Sequence, residues 1–140
     1  MKIKKVTSWI TMAVLLIMLG ASSLTVAKAS NAWKGFDLST ESYYGDDYDV
    51  SGFQEKDTTD SVITDVSYAD GVLDYRVVGA MDEDTDDYDD CSNGYVYRVS
   101  STGTYSFYSW VKEWGYSYAG LRVDSTTDSF TYHIGEFMAN

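Results

Sequence analysis

The sequence predicts an all-β chain, a single antiparallel β-sandwich or jelly-roll-like domain of about seven to eight strands that follows a cleaved signal peptide. Three observations lead there. Past the leader, apolar residues alternate with period two in short runs, and no apolar stripe of helical period persists for about ten residues. The runs are separated by Gly, Ser, Thr and Asp at spacings of about ten residues. Residues 30–140 also carry 21 aromatic side chains (13 Tyr, 5 Phe and three of the 4 Trp). Each such ring buries roughly 150 to 250 Å², so a core is within reach at this length.

The strands are read in chain order. Phe36 and Leu38 mark a first strand after Trp33. In the run from Ser61 to Tyr68, the side chains of Val62, Val66 and Tyr68 project to one side with Thr64 between them, and Leu73, Tyr75 and Val77 repeat the pattern. Asp70-Gly71 between these runs signals a type I′ hairpin, because both residues tolerate positive φ. Tyr95, Tyr97 and Val99 alternate next, and Ser101-Thr102-Gly103 turns the chain into Tyr105 to Val111. Beyond Trp114-Gly115, Tyr116 to Val123 forms another strand, and Asp124 to Asp128 is a polar turn. Phe130, Tyr132 and Ile134 give the last strand its core face, which puts His133, beside Thr131, at a surface or rim position. The sequence has no proline, so protection of sheet edges falls to charge in the Asp-rich turns.

Residues 1–29 read as a secretory leader. Lys2, Lys4 and Lys5 make a cationic start, Ile10 to Gly20 an apolar run, and Ala27-Lys28-Ala29 a small-x-small cleavage site, with Ser30 first in the mature chain. A spanning helix wants roughly 20 apolar residues, and Ser22, Ser23, Thr25 and Lys28 interrupt sooner. The expectation is a secreted, extracellular domain over residues 30–140 with no stable membrane anchor. No cysteine follows the apolar run at a lipidation position, and the last residues, Phe137 to Asn140, carry no hydrophobic tail or sorting signal. One unpaired cysteine in an exported chain fits a Gram-positive type of bacterium.

The leader holds four of the ten basic side chains and none of the 22 acids, so residues 30–140 keep six cations against 22 acids, a net −16. That sign excludes nucleic acid as a partner and disfavours anionic lipid. A lone cysteine and a lone histidine exclude an internal disulfide and the usual zinc clusters. Acidity is unevenly spread: seven acids lie within Asp82 to Asp90, but only Glu113, Asp124, Asp128 and Glu136 follow Cys91.

The order of features resembles a family of uncharacterised small secreted proteins of Bacillus-like bacteria, a domain of unknown function. The matching segments are Asn31-Ala32-Trp33 leading into Phe36, Gly52-Phe53, Thr58-Thr59-Asp60, the stretch from Val62 to Val78, Gly120-Leu121-Arg122, the turn from Ser125 to Asp128, and Tyr132 to Phe137. The acidic insert between Gly79 and Cys91 departs from the family's pattern. The resemblance implies the fold and the extracellular address, and it carries no catalytic residues across.

Two candidate sites stand out. Asp82, Asp84, Asp86 and Asp87 have the alternating carboxylates that a hard cation such as Ca²⁺ exploits, and millimolar extracellular calcium suits a weak site. An EF-hand match fails, with Asp87 where Gly is wanted and Asn93 where Glu is wanted. The competing reading is a solvated, self-repelling loop; Asp46, Asp47 and Asp49 beside Tyr43, Tyr44 and Tyr48 pose the same choice. The second candidate is aromatic: Tyr108, Trp110, Trp114, Tyr116 and Tyr118 gather about one turn, where exposed rings stack on glycan faces or enter a partner protein. The alternative is that they alternate into the core.

Enzyme readings find little support. Among 22 acids some pair will lie at glycosidase spacing by chance. Cys91 sits beside Asp89 and Asp90, which raise a thiol's pKa, so a free thiol or a Cys91-linked dimer is expected rather than a nucleophile. The resulting expectation is a non-catalytic secreted protein without a cofactor, or with weakly bound Ca²⁺, that contacts an extracellular protein or cell-wall glycan. A secreted bacteriocin-like antimicrobial is the alternative from another class, although membrane-active toxins are mostly cationic.

Overall fold

A computed structural model of the chain describes residues 32–41 and 47–140. Residues 1–29, which the sequence reading takes as a leader, and Ser30, Asn31, Tyr43, Tyr44 and Asp46 lie outside the described residues. Ten strands and no helix are found among them: β1 (Lys34–Thr40), β2 (Tyr48–Val50), β3 (Gln54–Glu55), β4 (Val62–Asp70), β5 (Leu73–Ala80), β6 (Tyr88–Asp90), β7 (Tyr97–Val99), β8 (Gly103–Phe107), β9 (Tyr118–Ser125) and β10 (Thr131–Met138). All pairings are antiparallel. The first sheet runs β1-β10-β4-β8; the second runs β2-β9-β5-β6, with β3 also on β9 and β7 also on β5. The two sheets enclose the core, as the sandwich reading expects.

The core forms because each sheet turns one apolar face inward. Phe36, Leu38, Val62, Val66, Phe107 and Phe137 come from the first sheet, and Leu73, Tyr75, Val77, Val99, Ala119, Leu121 and Val123 from the second. Fully burying each large apolar side chain contributes about 1.5 to 3 kcal/mol. From Val77 to Ala80, strand β5 is buried on both faces. Its outer residues Val78 and Ala80 meet Phe53, delivered by the segment that carries β3, in a smaller second cluster.

Three expectations are corrected. Asp70-Gly71 does not join a hairpin: Gly71 has the predicted positive φ of 88°, but β4 and β5 belong to different sheets, so the turn is a corner between layers. Ser101 to Gly103 makes a similar crossing from β7 to β8. Second, Tyr68 does not share the inward face of Val62 and Val66. The register against β10 slips so that Val66 faces Gly135 and Tyr68 faces Ile134, leaving Ser67 as a bulge; beyond it the alternation inverts and Tyr68 points out.

The third correction concerns β10. Phe130 and Ile134 are exposed and Tyr132 is half-buried, whereas Thr131 and His133 are buried. Register decides this, because Leu38 opposes His133 and Thr40 opposes Thr131, and directly opposed residues share a face. Gly135, opposite Phe36, continues the inward series without a side chain. A Cβ there would overlap the Asp65 carbonyl oxygen and press on the Phe36 ring.

One basic residue that hydropathy would place in solvent is buried. Lys56 is fully covered, and its Nζ donates to the carbonyls of Asp60 (2.6 Å), Ala139 (2.5 Å) and Asn140 (3.2 Å). Desolvation draws the ammonium down to about 8, while Asp60 and Glu113 oppose the shift. The Asn140 carbonyl also accepts from the amides of Asp57 and Thr58, so this clamp ties residues 139–140 to the connection between β3 and β4.

Candidate aromatic binding surface

The surface is built on two turns. Asn93 (φ 50°) and Gly94 (φ 81°) both sit in the left-handed region, and the Tyr95 amide donates to the Ser92 carbonyl at 3.0 Å. These are marks of a type I′ turn, whose right-handed twist suits the chain returning into β7. Ser92 is fixed from below: its amide and hydroxyl donate to Asp90 Oδ1, and Asp90 pairs with Arg76 at 3.2 Å. Burial pushes the Asp90 carboxyl up, but the Ser92 and Arg76 donors outweigh it and hold the group below its ordinary value. The second turn is tied to the first through the Trp110 amide, which donates to the Cys91 carbonyl at 2.9 Å. Past it, Tyr116 N–H reaches Val111 O and Gly115 N–H reaches Lys112 O, a Schellman closure around left-handed Gly115 (φ 88°).

These turns bring four rings together. Tyr95 lies at the centre, stacked on Trp110 (5.7 Å between centroids, 8° between planes) and on Tyr97 (6.4 Å, 18°), with Tyr108 tilted against it at 5.8 Å. Tyr97 accepts the Tyr108 amide on its hydroxyl at 2.9 Å and packs on Phe107 at 4.7 Å. Phe107 then meets core Tyr75 at 5.5 Å. The outer rings therefore rest on a packed column rooted in the core, yet Tyr95 is 50% exposed and Tyr108 59%.

The five predicted aromatic residues divide. Tyr108 and Trp110 join the Tyr95 cluster, and Trp114 stands exposed on the following turn. Tyr116 packs on the core beside Gly79, where a Cβ would overlap Cys91 Sγ, and its hydroxyl donates to Asp89, which pushes the phenol up to about 12. Tyr118 packs against the Phe53 cluster and lines a separate groove of about 380 Å³ with Trp33, Lys34, Gln54, Glu55 and Glu83. Sequence reasoning missed the central ring, Tyr95, together with Tyr97. The signal that would have found them is Asn93-Gly94, which aims the next residue outward.

Asp82, Asp84, Asp86 and Asp87 are all exposed. Asp86 and Asp87 line an open cleft of about 530 Å³ with Tyr48, Asp49, Val50 and Tyr88, so parts of the two acidic stretches face one another. Among the described residues, no three His, Cys, Asp or Glu side chains form a group able to hold a metal ion.

The two remaining reactive groups are enclosed. His133 is fully buried rather than at the rim, with Nε2 3.2 Å from the Gly71 carbonyl and Nδ1 3.0 Å from the Tyr75 hydroxyl. A carbonyl only accepts, so Nε2 carries the hydrogen and Nδ1 accepts from Tyr75. Burial holds the imidazole below its ordinary pKa. Cys91 is also fully buried, and burial with Asp89 and Asp90 pushes its thiol up to about 12; an intermolecular disulfide would require the β5–β6 region to open.

Comparison of this chain with family models, curated proteins and solved structures returned no match. Among the described residues no helix is long and apolar enough to cross a membrane.

Proposed function

We propose that the chain is a secreted, non-catalytic β-sandwich module that holds an extracellular protein or a cell-wall glycan against the ring cluster centred on Tyr95. The observation that carries this reading is the pairing of exposed rings with close packing on a hydrogen-bonded base. Four rings converge on two hydrogen-bonded turns, and the cost of ordering them is met on folding rather than on binding. Aromatic anchors of this kind dominate contact energies. The leader-like first 29 residues and the resemblance to small secreted proteins support the extracellular address.

Retention on purified cell-wall material or on a partner protein tests the proposal. Tyr95→Ala with Trp110→Ala should abolish retention, while Tyr118→Ala, on the separate groove, should leave it intact. Unchanged retention by the double variant would remove the site assignment.

A further inference from the structure

We propose that the outer face of the first sheet is a second docking surface, distinct from the Tyr95 cluster, for a cationic amphipathic segment of a partner protein. The face is defined by register. Its central row is Asp37, Ile134 and Tyr68 on β1, β10 and β4; one side of it lies the row Ser39, Tyr132 and Asp70, and on the other Gly35, Glu136, Asp65 and Thr104. The apolar members are continuous. Tyr132 lies 6.0 Å from Tyr68 and 6.3 Å from Phe130, with the latter pair stacked, and Ile134 sits directly opposite Tyr68. Phe130, Tyr68 and Ile134 are exposed, so a ladder of large apolar side chains crosses the sheet in contact with water.

The frame of that ladder identifies the occupant. Asp37, Asp65, Asp70 and Glu136 border it, and β4, β8 and β10 contain no Lys or Arg. The one cation of β1, Lys34, turns away to the Phe53 carbonyl and Glu83. Elsewhere Arg76, Arg98 and Arg122 are paired with Asp90, Asp74 and Asp124, and Lys56 is buried on carbonyls. Two carboxylates, Glu136 and Asp65, oppose one another across β10 and β4, a placement that is destabilising when no cation intervenes. Asp65 receives the Thr104 hydroxyl at 3.0 Å, and Asp37 holds the Tyr132 hydroxyl. An extended segment alternating Lys or Arg with apolar residues supplies both what the ladder lacks, a cover, and what the frame lacks, a counter-charge. A second copy of this chain brings the same four carboxylates, and an anionic lipid surface brings phosphates; both are repelled.

The test titrates ¹⁵N-labelled protein with a synthetic peptide of alternating Lys and Leu, and with the same peptide carrying Glu for Lys. The expected result is that the Lys peptide shifts the amides of Tyr68, Tyr132, Ile134 and Glu136 in the native protein and that the Glu peptide does not bind. Tyr68→Thr with Ile134→Thr should weaken binding about tenfold or more, these being exposed strand positions. Asp65→Asn with Glu136→Gln should weaken binding, flatten its salt dependence and raise the melting temperature of the free protein. Shifts confined to residues 82–90 or to the Tyr95 cluster, equal binding of the Glu peptide, or undiminished affinity in either double variant would overturn the proposal. The mapping on native protein decides the matter even if a variant folds poorly.

Discussion

Strands β5 and β10 are both eight residues long, lie in opposite sheets and touch through Tyr75 and His133, yet their first halves use alternation in opposite senses. In the first half of β5 the inward residues Leu73, Tyr75 and Val77 are apolar and alternate with Asp74 and Arg76. In the first half of β10 the inward residues Thr131 and His133 are polar while Tyr132 and Ile134 look outward; only past Gly135 does an apolar side chain, Phe137, turn inward. Burial of a polar group is tolerated when its hydrogen bonds are made, and both ring nitrogens of His133 are engaged. Hydrophobicity therefore orients a strand only until register and satisfied polar groups outvote it. The apolar side chains displaced to the outside are then available to a partner.

The largest test of this contrast removes the point where the strands meet. Tyr75→Ala opens a cavity in contact with Phe36, Phe107 and His133 and should cost about 3 to 5 kcal/mol, read as loss of unfolding free energy in denaturant. Lys56→Met should cost about 1 to 3 kcal/mol by leaving buried carbonyls of the clamp without a donor. Tyr75→Phe keeps the ring but strands His133 Nδ1, and about 1 to 3 kcal/mol is expected there too.

The Tyr75→Phe variant also carries a pH signature. The folded pKa of His133 lies below its ordinary 6.5, so as pH falls below 6.5 the unfolded chain takes up a proton that the folded chain refuses. The native protein should lose stability over that descent, down to the lowered folded pKa. The variant should lose less, because the neutral imidazole no longer gains the Tyr75 hydrogen bond. The smallest effect belongs to the outer face: Ile134→Thr should change stability by no more than about 0.5 kcal/mol, against the large loss expected were Ile134 a core residue.

The same contrast explains what was legible in the sequence. The all-β class, β1, β5 and the near half of β4 follow from alternation that agrees with burial at Phe36, Leu38, Val62, Leu73, Tyr75 and Val77. The expected count fell short of ten strands because β2, β3 and β6 span only two or three residues, too few to alternate, and β6 is embedded in an acidic run that reads as solvated loop. The Asp70-Gly71 turn was visible as backbone conformation, but whether a turn pairs two strands or passes between sheets is set by distant partners, here Tyr132 opposite Asp70 and Ser125 opposite Leu73. Of the predicted rings, Tyr108 and Trp110 converge. Their neighbour Tyr95 arrives from another strand connection, which local spacing does not register.

The chain contains a single histidine, so one side-chain ¹⁵N NMR titration addresses the inward-polar, outward-apolar assignment of residues 131–134 in β10 without ambiguity. The expected result is a neutral imidazole protonated at Nε2, with Nδ1 accepting a hydrogen bond and a pKa below 6.5. A histidine titrating at its ordinary value, in rapid exchange between tautomers, would place His133 at the surface and Phe130, Tyr132 and Ile134 in the core, contradicting it.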